Sequence, residues 1–195
     1  MIFRLSQKRS TKIKAGKLNA LPLDENPYAD WSCHLFTAYR TQYIILSNTK
    51  SLYSCVMVGK GITNNNRFIE SALSTIADFM KDDGQSFVYQ RFIAPESGTV
   101  SFAKAFNRSV TGSMNDLIKF AKIWLIEDGL PPQEVGFKLN DVLLSALGKP
   151  RGYSKPGEEF VWLLREQDSS SARPAWLRSS PNEPPAFAGW LRTRR

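Results

Sequence analysis

The chain has 195 residues, 42% of them hydrophobic and 23% charged, and carries a net charge of +8. This is the composition of a globular protein, with enough length for one domain of ordinary size and some left over. No apolar run approaches the ~18 residues needed to cross a bilayer, and no apolar stretch follows the basic N-terminus as in a secretory signal, so neither a membrane partner nor export is expected.

In chain order, Ile2-Phe3-Arg4-Leu5 reads as a short strand. Ser6 can cap a basic helix over about 7–14, and Pro22, Asp24, Asn26 and Pro27 mark a loop from Leu21 to Trp31. His34 to Thr37 can add a strand beside the best β signal, Thr41 to Leu46 and Leu52 to Val58. Turn residues Ser47 to Ser51 join those two into a hairpin. Both arms are nearly continuously apolar, which predicts central strands covered on both faces. Gly59 and Gly61 end the hairpin. A helix from about Asn66 to Asp82 then places Phe68, Ile69, Ala72, Leu73, Ile76, Phe79 and Met80 on one stripe, with Gly84 as its C-cap. Phe87 to Ile93 fits helix or strand, and Gly98 to Phe102 alternates like a strand.

Met114, Leu117, Ala121, Trp124 and Leu125 form a second helical stripe, ending near Asp128-Gly129. Asn140 can cap a short helix carrying Val142, Leu143, Ala146 and Leu147, closed by Gly148 and Pro150. A last amphipathic piece runs from Glu158 to Arg165. These elements describe one α+β domain over 1–150, a mixed sheet with a central β-hairpin packed by two to three amphipathic helices. A short amphipathic helix over 151–167 follows. Residues 168–195 are rich in Pro, Ser, Arg and Trp, with Pro174-Ala175-Trp176-Leu177-Arg178 echoed by Ala188-Gly189-Trp190-Leu191-Arg192; this tail is expected to be disordered.

The charge sits at the ends. Residues 1–20 hold six basic side chains and no acid, and 168–195 hold five arginines against Asp168 and Glu183. The middle has 15 basic and 16 acidic residues. A nucleic-acid-binding domain carries its charge on a folded face, so contact with nucleic acid is expected, if anywhere, through the basic N-terminal segment 8–17. Two cysteines, Cys33 and Cys55, are too few for a disulfide framework and read as buried thiols in a cytoplasmic protein.

Little catalytic chemistry can be written. The only histidine, His34, neighbours Cys33 on a strand, where adjacent side chains point to opposite faces. With one histidine and two cysteines no zinc spacing exists, and no phosphate-loop, dinucleotide or nucleophile-elbow spacing occurs, so no metal or cofactor is expected. The acid pairs Asp82-Asp83, Glu127-Asp128 and Glu158-Glu159 fall at helix ends, where solvated acids are ordinary.

The densest polar cluster is Asn107-Arg108-Ser109-Val110-Thr111-Gly112-Ser113-Met114-Asn115-Asp116, just before a helical stripe. Ser113-x-x-Asp116 reads as a capping box, with Ser113 at the N-cap, Asp116 at N3, and Gly112 allowing an unusual backbone angle before it. That cap leaves Asn107, Arg108, Ser109 and Asn115 unused. A helix start exposes N–H groups, and an arginine beside it adds a donor fork for phosphate or carboxylate, although Asp116 in the first turn would compete with a bound anion.

The same ten residues resemble the signature Asn-Arg-Ser-Val-x-Gly-Ser-Met-Asn-Asp of a family of uncharacterised bacterial proteins, a domain of unknown function. The Phe-Arg-Leu strand, the lysine-rich helix, the Leu52-Tyr53-Ser54 hairpin element and the helix after Asn66 extend the resemblance over about residues 1–147. It implies no activity, substrate or catalytic residue, and it singles out Asn107 to Asp116. The function expected is therefore a binding or accessory module for an unknown anionic ligand or protein partner, with Asn107, Arg108, Ser109, Ser113, Asn115 and Asp116 as the contact. The alternative is a small enzyme on a phosphate-containing or nucleic-acid substrate, a toxin-like nuclease using Arg108, Ser109 and Asp116.

Overall fold

The computed structural model describes residues 1–145, 147 and 152–171, with side chains as far as 165. The expected tail from 168, with its two Trp-Leu-Arg repeats, therefore lies almost wholly outside the described residues. By its internal contacts the chain divides into Met1–Leu163 and Leu164–Arg195.

Five strands, β1 (Ile2–Leu5), β2 (Asp30–Ala38), β3 (Thr41–Asn48), β4 (Ser54–Val58) and β5 (Ser101–Lys104), form one mixed sheet in the order β4-β3-β2-β1-β5. β1 is parallel to both β2 and β5, and β2-β3-β4 is an antiparallel meander. The helices are α1 (Gln7–Ile13), α2 (Asn65–Asp82), the single turn α3 (Ser86–Val88), α4 (Arg108–Ile126), α5 (Pro132–Asn140) and α6 (Pro156–Ser171). The ambiguous stretch after Phe87 is helical, with α3 continuing as a π turn over Tyr89–Ile93 and a 3-10 turn over Ala94–Gly98. The chain is thus the α+β domain its patterning predicts.

The hairpin forms, but β4 is an edge strand, not a central one. Its apolar run is buried because helices cover it. Met57 meets Thr75 of α2, with the Thr75 hydroxyl 3.4 Å from its sulfur. Val56 joins Ile45, Met114, Leu117, Val135 and Leu139 in one core cluster. α5 lies along the edge, and the Asn140 side chain closes it: Oδ1 accepts from the Ser54 N–H at 2.7 Å and Nδ2 donates to the Ser54 carbonyl at 3.1 Å. A side-chain amide carries the same donor and acceptor as a peptide, so Asn140 stands in for a neighbouring strand. The expected helix starting at Asn140 is therefore wrong at its start. Asn140 is the last residue of α5, and Leu144 bridges to Ser154 instead. Ala146, Gly148 and Pro150 lie outside the described residues.

The loop expected from Leu21 to Trp31 ends earlier, because β2 begins at Asp30 and pairs with β1 from Ile2↔Asp30 onward. Between β3 and β4, Leu52 takes φ +59 and so leaves the strand. The buried Asn48 ties this turn down, accepting from the Ser51 N–H at 3.0 Å and donating to the Pro27 carbonyl at 2.7 Å. Phe160 of α6 stacks on Tyr53 at 4.2 Å and meets Tyr28 edge-on at 5.0 Å, so the start of α6 completes the core.

Candidate functional site

The polar cluster folds differently from a capping box at Ser113. Asn107 is the cap: its backbone is extended, and its Oδ1 accepts from the Val110 N–H at 2.8 Å. The helix starts at Arg108, so Gly112, Ser113 and Asp116 are all inside it. Asparagine caps as well as serine, and starting here adds a turn to the inward stripe, which runs Val110, Met114, Leu117, Ala121. That stripe is visible in the sequence once Val110 is counted. Gly112 has ordinary helical backbone, and a Cβ placed on it would meet nothing within 4 Å.

The consequence for the expected site is a sorting by face. Arg108, Ser109, Asn115 and Asp116 lie together on the exposed side of α4, whereas Ser113 is buried against the core. Asn107 is exposed but spends its side-chain oxygen on the cap. Asp116 sits two turns from the helix start, about 12 Å along the axis, and accepts from Lys119 Nζ at 2.8 Å. The first turn of α4 holds no acid.

The basic N-terminal segment is also divided. Arg4 is buried and makes a two-pronged ion pair with Asp30, both prongs at 2.7 Å, and it donates to the carbonyls of Leu21 and Pro22. Lys12 reaches the Gln42 side chain and, at 3.0 Å, the Gly59 carbonyl; partial desolvation, then the charge of Arg9, lowers its pKa. Arg9 is fully buried. Of the basic side chains in this segment, Lys8, Lys14 and Lys17 are exposed. The neighbouring pair behaves as expected: Cys33 and Cys55 are buried free thiols, and burial pushes the Cys33 thiol well up. His34 is buried, which lowers its pKa. Among the described residues, no cluster of His, Cys, Asp and Glu could hold a metal ion.

One feature escaped the sequence reading. The end of α1 and the start of α2 wall a groove of about 760 Å³ lined by Ile13, Lys14, Asn64, Asn65, Asn66, Arg67 and Glu70. Asn64 caps α2, accepting from the Arg67 N–H at 2.9 Å. Arg9 is not among the residues that line the groove; its guanidinium is buried, 4.3 Å from the centroid of the Phe68 ring. Burial pushes its pKa down to about 10, so it is charged at neutral pH. The signal was available: Arg9 and Ile13 are four residues apart, so the arginine shares the buried face of α1.

A family model described as "Domain of unknown function (DUF6933)" matches residues 2–159, and the chain belongs to that family. The match covers the sheet, α1 to α5 and the first residues of α6. No curated protein matches the chain.

Proposed function

We propose that this domain acts by binding rather than by catalysis, and that an anionic ligand or a partner's acidic group contacts the start of α4. Arg108 and Ser109 supply the contact, and Asn115 supplies a further exposed amide two turns along the same face. The observation that carries this reading is the position of the two exposed residues. They are the first two of a nineteen-residue helix whose first turn holds no acid. Their N–H groups have no earlier carbonyl in the helix to reach, and the helix dipole favours negative charge there. Asp116, which would have competed at the helix start expected from sequence, is displaced and held by Lys119. The same placement gives a catalytic Asp116 no support.

The exposed Lys8, Lys14 and Lys17 are the residues through which nucleic acid would be met electrostatically. Two unpaired cysteines favour a cytoplasmic protein, and the resemblance of the Asn107–Asp116 segment favours a bacterial one. Isothermal titration of the full chain with inorganic phosphate and with a short RNA tests the reading. Binding of either that weakens at least tenfold in Arg108→Ala, and persists in Asp116→Asn, is the expected result. Absence of binding, or an affinity unchanged in Arg108→Ala, refutes it.

A further inference from the structure

We propose that the end of the sheet at the β2–β3 turn binds single-stranded nucleic acid, with the Tyr39 ring stacking a base and Lys8, Lys12, Arg40 and Lys60 meeting the phosphates. This rests on the reading above that nucleic acid is met through the basic N-terminal segment, and it is independent of the contact at the start of α4. Four of the five strands, β1, β2, β4 and β5, run in one direction, so their carboxyl ends lie at one end of the sheet. The segments that leave those ends, 6–17, 39–40, 59–67 and 105–115, hold nine basic side chains and no acid. Acids stand at the other end: Asp24 and Glu96 by Met1, before β1, and Asp83 on Tyr53, before β4. The fold thus polarises charge that is nearly balanced along the middle of the chain.

The basic side chains converge on the turn. Lys12 of α1 donates to the Gly59 carbonyl at 3.0 Å and to the Gln42 side chain. Lys8 is one turn earlier on the same face of that helix. The Gly59 N–H donates to the Gln42 carbonyl at 2.7 Å, which sets Lys60 beside the strand that Arg40 leads into. Lys8, Arg40 and Lys60 are exposed, and among the described residues none of the four cations is in an ion pair. Ala38 pairs with Thr41, so Tyr39 and Arg40 are the whole turn. Tyr39 holds φ +50, a region that favours glycine, and glycine is the usual residue where a two-residue hairpin turn needs a positive φ at its first position. The fold makes little use of the tyrosine there. Its ring is 79% exposed, and among the described residues its contact is the Arg40 guanidinium, 5.9 Å from the centroid. An open ring held on a tight turn among cations is what stacks an unpaired base while lysine and arginine track the backbone. A base inside a duplex presents no free face to such a ring, so single strands are preferred. The neighbours Thr37, Thr41 and Gln42 are polar and give no apolar face to enter a bilayer.

The test is fluorescence anisotropy of the full chain with labelled short single strands of RNA and of DNA, and with a duplex of the same sequence. Both single strands are expected to bind more tightly than the duplex; tighter RNA assigns RNA, and equal affinity assigns single strands of either sugar. Tyr39→Gly removes the ring and suits the backbone angle, so Tm should hold or rise while single-strand affinity falls roughly fivefold or more. Lys8→Gln with Lys60→Gln, both on the surface, should flatten the slope of log affinity against log salt by roughly one per lysine lost. No binding of single strands, a duplex bound as tightly as they are, or unchanged affinity in Tyr39→Gly overturns the proposal. So does an unchanged salt slope in the lysine pair, or capture on phosphatidylserine vesicles without oligonucleotide binding. Titration of Arg108→Ala with inorganic phosphate reads the α4 contact, which Tyr39→Gly leaves intact, so either reading can fail alone.

Discussion

Alanine at Gly136 and alanine at Gly112 should move stability in opposite directions, although both glycines are inside helices. In an exposed helix interior, alanine is favoured over glycine by about 0.5–1 kcal/mol. At Gly112 a Cβ meets nothing within 4 Å, so that gain is realised in full. At Gly136 the Cβ would fall 2.6 Å from Phe79 Cε2 and 3.1 Å from Cζ. Phe79 cannot withdraw. It is buried, stacked on Phe137 at 4.7 Å and tilted against Tyr53 at 5.7 Å. At 2.6 Å from a ring that cannot move, the upper part of the overpacking cost applies, about 2–3 kcal/mol, which less a helix gain of about 1 kcal/mol leaves Gly136→Ala a net loss of about 1–2 kcal/mol. At this chain length each kcal/mol moves Tm by about 2–4 °C. Thermal unfolding by circular dichroism should therefore show Gly136→Ala lower by roughly 2–8 °C and Gly112→Ala higher by roughly 1–4 °C. A Gly136→Ala protein that melts at or above the parent refutes the close approach of α5 to α2. A Gly112→Ala protein that melts lower refutes the uninterrupted helix from Arg108.

Two further outcomes follow from buried polar groups. Asn140→Ala strips both partners from the Ser54 backbone at the sheet edge, and should lower unfolding free energy in urea by at least about 2 kcal/mol; a loss under about 0.5 kcal/mol would mean water replaces the amide. His34 is buried with its pKa lowered by desolvation, so below the ordinary histidine value of about 6.5 the unfolded chain binds the extra proton and the folded one resists it. Stability should therefore fall as pH drops from about 7 toward 5, and His34→Gln should flatten that slope in a Tm-against-pH series. An unchanged slope in the variant would place the titrating group elsewhere.

The helical stripe at Phe68, Ala72 and Ile76 and the β-rich run from Thr41 to Val58 were legible without a structure because each is a local period that one apolar face imposes. The N-cap was not. Asn107 and Ser113 are both good caps, and the choice rests on whether Val110 reaches the core, which depends on where the sheet is. The same holds for β4. Its apolar run says only that both faces are covered, and it took the placement of α5 and Asn140 to show an edge strand sealed by a side-chain amide. The basic segment shows the limit most plainly. Composition counts Arg4, Lys8, Arg9, Lys12, Lys14 and Lys17 alike, while the fold buries Arg4 against Asp30, buries Arg9 against the Phe68 ring without a hydrogen-bond partner and leaves three of the lysines exposed.

The sequence by itself determined the α+β class, the hairpin, the two long amphipathic helices and the family, because periodicity and a ten-residue motif are properties of neighbouring residues. The tertiary structure alone decided which polar groups the fold consumes. Ser113 went to the core, Asn107 to the cap and Asp116 to Lys119, which leaves Arg108 and Ser109 at an open helix start. It also buried Arg9 against Phe68, from a distant part of the chain. Such pairings depend on distances between elements, and chain-local patterns carry no record of those distances.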